Sequence, residues 1–442
     1  MAFMTIQEAA KKWNITERRI QVLCNSGRLE GAIKFGRQWA IPAELEKPDD
    51  ARIKSGRYIK KALQENMTTK TRKLKIFSFF SGSGFLDLGF EKAGFEIEIV
   101  NEFQKPFIEA YKYARKNMGL AEPVCGYYNI DVNEFLGSRM NELRREVEDA
   151  RKDGSLVGFI GGPPCPDFSI AGKQMGKNGE NGKLSQSYVN LICTFLPDFF
   201  LFENVKGLWK TKRHREFYDE LKKQLKTTGY EMCDRLTNSL EFGAPQDRDR
   251  ILLFGLLDKT NNEVFDSKKN VNSFPWTKYK KYDLEIVKQL PWPEEDPFLA
   301  ESSTSCPDGI IKELTVEFWF EKNNVETHAN ASDYFQPRAG ITRMQSVDEG
   351  DVRKKSYKRL HRWRYSPTVA YGNNEVHLHP YKVRRLSAAE SLALQTLPED
   401  FCLPKEMSLS DKFKTIGNGV PFVMSYGIAR SIKDFLTEES KD

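Results

Sequence analysis

Between residues 74 and 257 the apolar positions fall into short runs at 74–80, 96–100, 156–160, 199–202 and 251–255. Each run is too short for a buried helix and rich in aromatic or branched side chains, so each predicts a strand. The stretches between them carry a helical period, beginning with 85–93. Strands alternating with helices predict an α/β fold, a doubly wound and mostly parallel sheet that gathers ligands at the carboxyl ends of its strands. Regular alternation stops at 258 and is not regained before about 360. Near the end, Pro421 starts a helix whose Phe422, Tyr426, Ala429, Ile432 and Leu436 share one face, which predicts packing on the first half of the sheet.

Residues 1–48 follow another pattern. Thr5 and Glu8 form a capping box ahead of a helix with Ile6, Ala9, Ala10 and Trp13 on one side. Thr16 can cap a second helix that turns Ile20, Leu23 and Cys24 inward and Arg18, Arg19 and Gln21 outward, and Gly27 stops it. Alternation on both sides of Gly36 and Arg37, from Ile33 to Ile41, predicts a hairpin. Two helices around a tight turn plus a wing resemble the winged helix-turn-helix of the excisionase and MerR type. Residues 49–73, rich in Lys and Arg and without apolar period, read as a linker.

Charge sharpens this division. The chain of 442 residues carries a net +6, and residues 1–60 hold 12 Lys and Arg against 7 Asp and Glu, which is most of the surplus. A basic module of this kind suits duplex DNA, with Arg18, Arg19 and Gln21 toward the groove and Arg37 on a phosphate; a dimerisation or docking module is the alternative. With 39% hydrophobic and 29% charged residues and no run of 18 apolar residues, the composition is that of a soluble protein. A cytoplasmic location is expected. The seven cysteines are scattered without a C-x-x-C pair, which argues against a disulfide framework and a zinc site. His377 and His379 lack a third ligand, and no metal is expected.

The chemistry collects at predicted strand ends. Gly161, Gly162, Pro163 and Pro164 make a stiff exit loop that presents Cys165; Glu203, Asn204 and Val205 close the next strand; Gln246, Arg248 and Arg250 lead into the one after. Gly82 and Gly84 form a tight loop after the first strand, but a third glycine of the dinucleotide fingerprint would fall at 87, which is Asp. A cofactor without phosphates is therefore favoured. Glu102, at the end of the second strand, is placed to accept hydrogen bonds from ribose hydroxyls. Asp131 is placed at a third strand end.

The ordered series of Phe80 to Gly84, Pro164 and Cys165 with Phe168 and Ser169, Glu203 to Val205, Gln246 with Arg248 and Arg250, Arg385 to Pro398, and Gly417 to Pro421, with Glu203 lying 38 positions after Cys165, resembles the motifs of the cytosine-5 DNA methyltransferases. The chain departs from them at Ser78, Phe85, Pro166 and Ile130, where the family often has Asp, Gly, Gln and Gly. The resemblance implies a Rossmann-like domain at 74–257, completed by 360–442, and a smaller target-recognition domain at 258–359. It makes Cys165 the nucleophile, Glu203 the donor at N3, Arg250 a ligand of O2 and Arg248 an aid in orienting the thiol. S-adenosylmethionine is the implied cofactor, held by Phe80, Gly82, Gly84, Glu102, Asp131, Pro164, Leu184, Asn418 and Val420. The implied partner is double-stranded DNA, with the target base flipped out and the glycine-rich stretch 172–182, including Gln174 and Lys177, closing over it. Basic and aromatic side chains from Lys354 to Trp363 suit phosphate contacts. The implied role is protective modification beside a restriction endonuclease acting on the same site, by a catalytic domain working as a monomer. RNA cytosine methylation and a DNA-binding regulator built on an inactive methyltransferase fold are the competing readings.

Overall fold

Thr5 opens the first helix as its spacing to Glu8 requires: its hydroxyl accepts the Glu8 N–H at 3.3 Å and its own N–H donates to the Glu8 carboxylate at 2.7 Å. The computed structural model describes residues 3–25, 29, 32–35, 38–43, 45, 72–164, 180–258, 270–337, 340–354, 356–369, 371 and 375–437. It divides into two compact units, Met1–Thr71 and Arg72–Asp442.

The first unit is built from β1 (Phe3–Met4), α1 (Ile6–Trp13), α2 (Glu17–Asn25), β2 (Ile33–Phe35) and β3 (Gln38–Pro42). Asn14 reverses the chain after α1 at φ 50°. The Thr16 hydroxyl then accepts the Arg19 N–H at 3.3 Å, so the second helix is capped where the sequence places it. Ile20, Leu23 and Cys24 are buried with Ala9, Trp13, Met4 and Ile41. Strands β2 and β3 form the expected hairpin, and β1 adds a third, antiparallel strand beside β3. At two residues, β1 is too short to show an alternation in the sequence.

In the second unit the order is β4 (Leu74–Phe79), α3 (Phe85–Lys92), β5 (Glu96–Asn101), α4 (Lys105–Asn117), β6 (Gly126–Tyr128), α5 (Met140–Arg151), β7 (Leu156–Gly161), α6 (Glu180–Phe195) and β8 (Phe199–Val205). Next come α7 (Lys206–Lys210), α8 (Lys212–Thr227), β9 (Tyr230–Asn238), β10 (Gln246–Asp247) and β11 (Asp249–Leu257). The remainder holds α9 (Leu284–Gln289), α10 (Val316–Lys322), α11 (Ile341–Gln345), β12 (Ser366–Pro367), α12 (Ala388–Leu394), α13 (Leu409–Asn418) and α14 (Phe422–Thr437).

Seven strands make the central sheet, in the order β6-β5-β4-β7-β8-β11-β9. The first five are parallel; β11 runs antiparallel to both β8 and β9. The strand order reverses between β4 and β7, and a crevice at the carboxyl ends follows from that reversal.

Side-chain alternation sorts the core into two faces. Phe77, Phe79, Val157, Phe159, Phe200 and Phe202 point to the side covered by α5, α6 and α8. Ile76, Val100, Ile160, Phe199, Leu201 and Phe254 point to the other side, where Phe90 of α3 and Met424, Ile428 and Ile432 of α14 meet them. Gly158 on β7 makes room for the Phe199 ring of β8, since a Cβ there would fall 2.1 Å from it. Val271, Phe274 and Trp276 also pack on this second face.

Helix α14 returns to the first half as its pattern predicts, and Lys433 donates to the Ala93 carbonyl at 2.9 Å. Its buried face is rotated from the predicted one. Met424, Ser425 and Ile428 join Ala429, Ile432 and Leu436 inside, while Phe422 and Tyr426 lie half-buried and stacked on each other at 5.9 Å. The cause is the close approach of α3: a Cβ on Gly89 would fall 2.1 Å from Ser425 Oγ, so only small side chains fit along that contact. No helix among the described residues is long and apolar enough to cross a membrane.

Candidate active site

Two clusters stand at strand ends of the sheet. The first sits where β7 and β8 finish. Glu203 is 7% exposed, and Arg250 reaches it from the antiparallel neighbour β11, Nε to Oε1 at 2.7 Å. Register explains the meeting: Leu252 pairs with Glu203 and Arg250 with Val205, so the arginine stands two residues along on the same face. Gly162 leaves room for the second carboxylate oxygen, because a Cβ there would come within 2.6 Å of Oε2. Asn204 turns the other way, donating to the Pro163 carbonyl at 3.4 Å and thereby tying the end of β8 to the exit loop of β7. Burial raises the pKa of Glu203, with Arg250 and then Arg248 opposing the rise.

Arg248 has a different place from the one its expected role suggests. It is fully buried, and its guanidinium donates to the Gly417 carbonyl at 2.8 Å and to Val369 O and Gln246 Oε1 at 3.4 Å. It therefore clamps the Gly417 turn to the end of the sheet, with an electrostatic influence on Glu203.

The second cluster lies past β4 and β5. Phe80 takes φ 54°, and Gly82 and Gly84 follow at φ 57° and 86°. A side chain at Gly84 would meet the Tyr111 ring at 2.4 Å. Glu102, 8% exposed, accepts the Gly82 N–H at 2.9 Å on one oxygen and the Gln104 N–H at 2.7 Å on the other. Burial raises its pKa and the N–H donors oppose that rise. Ser83 and Thr415 share a hydroxyl hydrogen bond of 2.7 Å, and Gly419 sits against the Phe85 ring, so the C-terminal turn carrying Asn418 and Val420 closes on the glycine loop. Asn418 is exposed and Val420 buried; Leu184 is half-buried on α6, and Pro164 is exposed. Asp131 accepts the Asn133 N–H at 2.8 Å and opens a 3-10 turn.

Two residues of this cluster escape the sequence reading. Phe103 follows Glu102 directly and is 63% exposed; an aromatic residue just past a strand end, outside the alternation, is the signal that could have found it. Asp87 is fully buried, accepts from Ser78 at 2.8 Å and from the Tyr111 hydroxyl at 3.0 Å, and has its pKa pushed up to about 6, chiefly by burial.

The family described as C-5 cytosine-specific DNA methylase matches residues 74–434. This chain belongs to that family. Its relatives include the type II methyltransferase M.NmeDI of Neisseria meningitidis serogroup C, 53% identical over 85% of this chain and 87% of the relative. Another is the type II methyltransferase M.FnuDI of Fusobacterium nucleatum, 30% identical over 83% and 96%. A prophage-encoded E. coli protein assigned as a DNA modification methyltransferase has a crystal structure that superposes with a TM-score of 0.56 at 20% identity, over 83% of this chain and all of that one, which speaks for the fold. Within this methylase the family match begins at the first residue of β4, and the first unit lies outside it.

Cys165, Gln174, Lys177 and Arg37 lie outside the described residues, as does Gly27. On α2, Arg18 and Gln21 are exposed and Arg19 half-buried, and Val22 is 50% exposed. The stretch Lys354 to Trp363 needs correction in part as a phosphate-binding surface: Lys354 is exposed and Lys358 half-buried, but its arginines and its tryptophan are buried. Arg359 is wholly buried and spends its guanidinium on the carbonyls of Val347, Met344, His379 and Lys382. Arg362 is buried in a two-pronged ion pair with Glu349 at 2.8 Å, and Trp363 is buried as well. These residues hold the segment together; buried charges of this kind are retained by their partners.

Proposed function

We propose that the chain is a sequence-specific modification methyltransferase that acts on carbon 5 of a flipped-out cytosine in duplex DNA, with Cys165 as nucleophile and Glu203 and Arg250 on the base. The observation that carries this reading is the Glu203 carboxyl, buried beside the Gly162 turn and gripped on one oxygen by Arg250. Because burial raises its pKa, Glu203 holds a proton more firmly than an exposed glutamate does, and that proton is the one N3 of the ring needs. Addition of the Cys165 thiolate forms an S–C6 bond and moves the C5–C6 electron pair onto C5, and Glu203 neutralises the charge that develops at N3. After C5 is methylated, loss of its proton to solvent expels the thiolate, and return of the N3 proton to the Glu203 carboxylate restores the neutral ring and the acid. Arg250 holds the base edge while keeping Glu203 in place.

The residues of the second cluster fit S-adenosylmethionine, which supplies a methyl group on a cationic sulfur when bound. Gly82 and Gly84 hold a left-handed turn that side chains disfavour, Glu102 offers acceptors for ribose hydroxyls, and the exposed Phe103 ring suits a flat base. Phe80, Asp131, Pro164, Leu184, Asn418 and Val420 complete the set. Likeness to M.NmeDI and M.FnuDI supports a type II pairing with an endonuclease that cuts the same site, in the cytoplasm. The first unit is read as a winged helix-turn-helix that binds duplex DNA through Arg18, Arg19 and Gln21.

Duplex DNA carrying 5-fluorocytosine tests the mechanism, since fluorine at C5 cannot leave as a proton does. The unaltered protein with cofactor should form a covalent complex stable to denaturation, Cys165→Ser should form none, and Cys193→Ala should form as much as the unaltered chain. Methylation at an undiminished rate by Cys165→Ala would refute the proposal.

A further inference from the structure

The arginines of residues 340–385 fall into two classes. Arg353 pairs with Glu295 and Asp351, Arg359 fills four carbonyls, Arg362 pairs with Glu349, Arg364 donates to Pro293 O at 3.1 Å, and Arg384 pairs with Glu390. Each of these five is occupied in holding the segment. Arg343 and Arg385 differ: among the described residues neither guanidinium has a hydrogen-bond or ion-pair partner. Both meet one ring instead, that of Tyr357, at 4.6 Å for Arg343 and 5.9 Å for Arg385.

Tyr357 is unusual in its own right. It stands at φ 58°, which disfavours an aromatic residue, and Gly340 leaves space for its hydroxyl, 3.0 Å from where a Cβ would be. Beneath it lie the buried Met344, Val347 and Leu378. The buried Arg359 fixes the Met344 and Val347 carbonyls from below, at 2.5 and 2.8 Å. The ring is thus within cation–π reach of two guanidiniums, Arg343 the nearer, whose donors are unspent among the described residues. Next to Arg343, Ile341 is 48% exposed, an apolar neighbour that a phosphate site has no use for and a base edge does.

A guanidinium stacked on an aromatic ring keeps its planar fork oriented, and a guanine presents O6 and N7 as the matching pair of acceptors in the major groove. We infer that Arg343 and Arg385, carried on Tyr357, read guanine in the methylation site. This rests on the reading of the chain as a DNA cytosine methyltransferase and adds the residues that choose the sequence.

The test is methylation of a randomised duplex library by the full-length protein, with the methylated cytosines and their flanks sequenced. Variants are Arg343→Ala, Arg343→Lys and Arg385→Lys, with Arg353→Ala as a control because Arg353 is exposed but already paired. The unaltered protein and Arg353→Ala should select at least one guanine besides the partner of the target cytosine. Arg343→Lys keeps the charge but loses the fork, and it should lower the preference for one guanine position about ten- to a hundredfold while leaving the other positions selective. Arg385→Lys should do so at a second guanine or weaken the same one. Uniform slowing at every site, with sequence preference kept in Arg343→Ala, would show a phosphate contact and overturn the inference, as would full preference in Arg343→Lys. Unchanged melting temperature keeps a folding defect apart from these outcomes. No methylcytosine at all with the unaltered protein would overturn the activity itself, and this assignment with it.

Discussion

Glu102 and Glu203 are both glutamates at or just past the carboxyl end of a parallel strand, both nearly buried, and both with pKa raised by burial. They differ in what opposes that burial. Glu102 is met by backbone N–H groups, Gly82 on one oxygen and Gln104 on the other, so it is fixed as an acceptor with lone pairs left for a ligand's hydroxyls. Glu203 is met by one guanidinium on one oxygen, and the other oxygen lies against the bare backbone of Gly162. On the proposed mechanism the same side chain at two strand ends of one sheet serves two tasks, accepting hydrogen bonds in one and keeping a proton in the other.

The largest effect should follow from removing the proton. Glu203→Gln keeps the size of the side chain and can still face Arg250, yet has no acid to give, and methyl transfer should fall by about a thousandfold. Single-turnover methylation of a duplex is the measurement, beside a gel-shift titration showing that DNA is still bound. For the unaltered enzyme, the step that needs protonated Glu203 should slow as pH rises through its raised pKa. A Glu203→Gln enzyme within about a factor of two of the unaltered rate would remove Glu203 from the chemistry.

Glu102→Ala should act on the other half. Loss of hydrogen bonds to a charged acceptor costs about 1.5–3 kcal/mol, so cofactor affinity should drop roughly ten- to a hundredfold, with a much smaller change in the single-turnover rate at saturating cofactor. Titration calorimetry with cofactor measures it. Equal decreases in affinity and rate would mean that the two carboxylates are not separable in function.

The contrast between the two clusters also shows how far the sequence reads. Strands β4, β5, β7, β8 and β11 announce themselves because each is a short apolar run, and the two glutamates stand out because each ends or follows such a run. Strand β9 does not, since as the edge strand it has one flank open and its middle residues are only half-buried. Charge misleads in the same way from Lys354 to Trp363: a basic run looks like a solvated surface, and only three dimensions reveal carbonyls and Glu349 converging on Arg359 and Arg362. Arg248 is legible as a family residue but not as a clamp on Gly417, which lies 169 positions away.

A third effect falls on stability instead of activity and concerns Asp87, which is buried and hydrogen-bonded to Ser78 and Tyr111. Its folded pKa is about 6 against an ordinary 3.8. A carboxyl raised in this way contributes stability that is whole below its unfolded pKa and is lost as pH rises through about 6. Asp87→Asn should therefore abolish a fall of about 3 kcal/mol in stability between pH 4 and 6 that the unaltered chain shows, read from denaturant melts at several pH values. Parallel curves for the two proteins would mean that Ser78 and Tyr111 hold the carboxylate at no net cost.

The smallest effect expected on methylation comes from the largest deletion. Both glutamates, their partners and the whole family match lie after residue 72, and the first unit has its own core of Ala9, Trp13, Ile20, Leu23 and Ile41. If Arg18, Arg19 and Gln21 serve a separate duplex, removing residues 1–71 takes away cations without altering either cluster. The truncated protein should methylate the same sequence at a rate within about threefold, while its overall DNA affinity becomes less sensitive to salt, because every phosphate no longer neutralised takes close to one unit off the slope of the logarithmic plot. Sequencing of methylated sites and gel-shift titrations at several salt concentrations, on both proteins, measure the two quantities. A changed recognition sequence would place the first unit in target reading and erase the division between the units. An unchanged salt slope would leave Arg18 and Arg19 without a phosphate to meet and make the unit a docking or dimerisation piece.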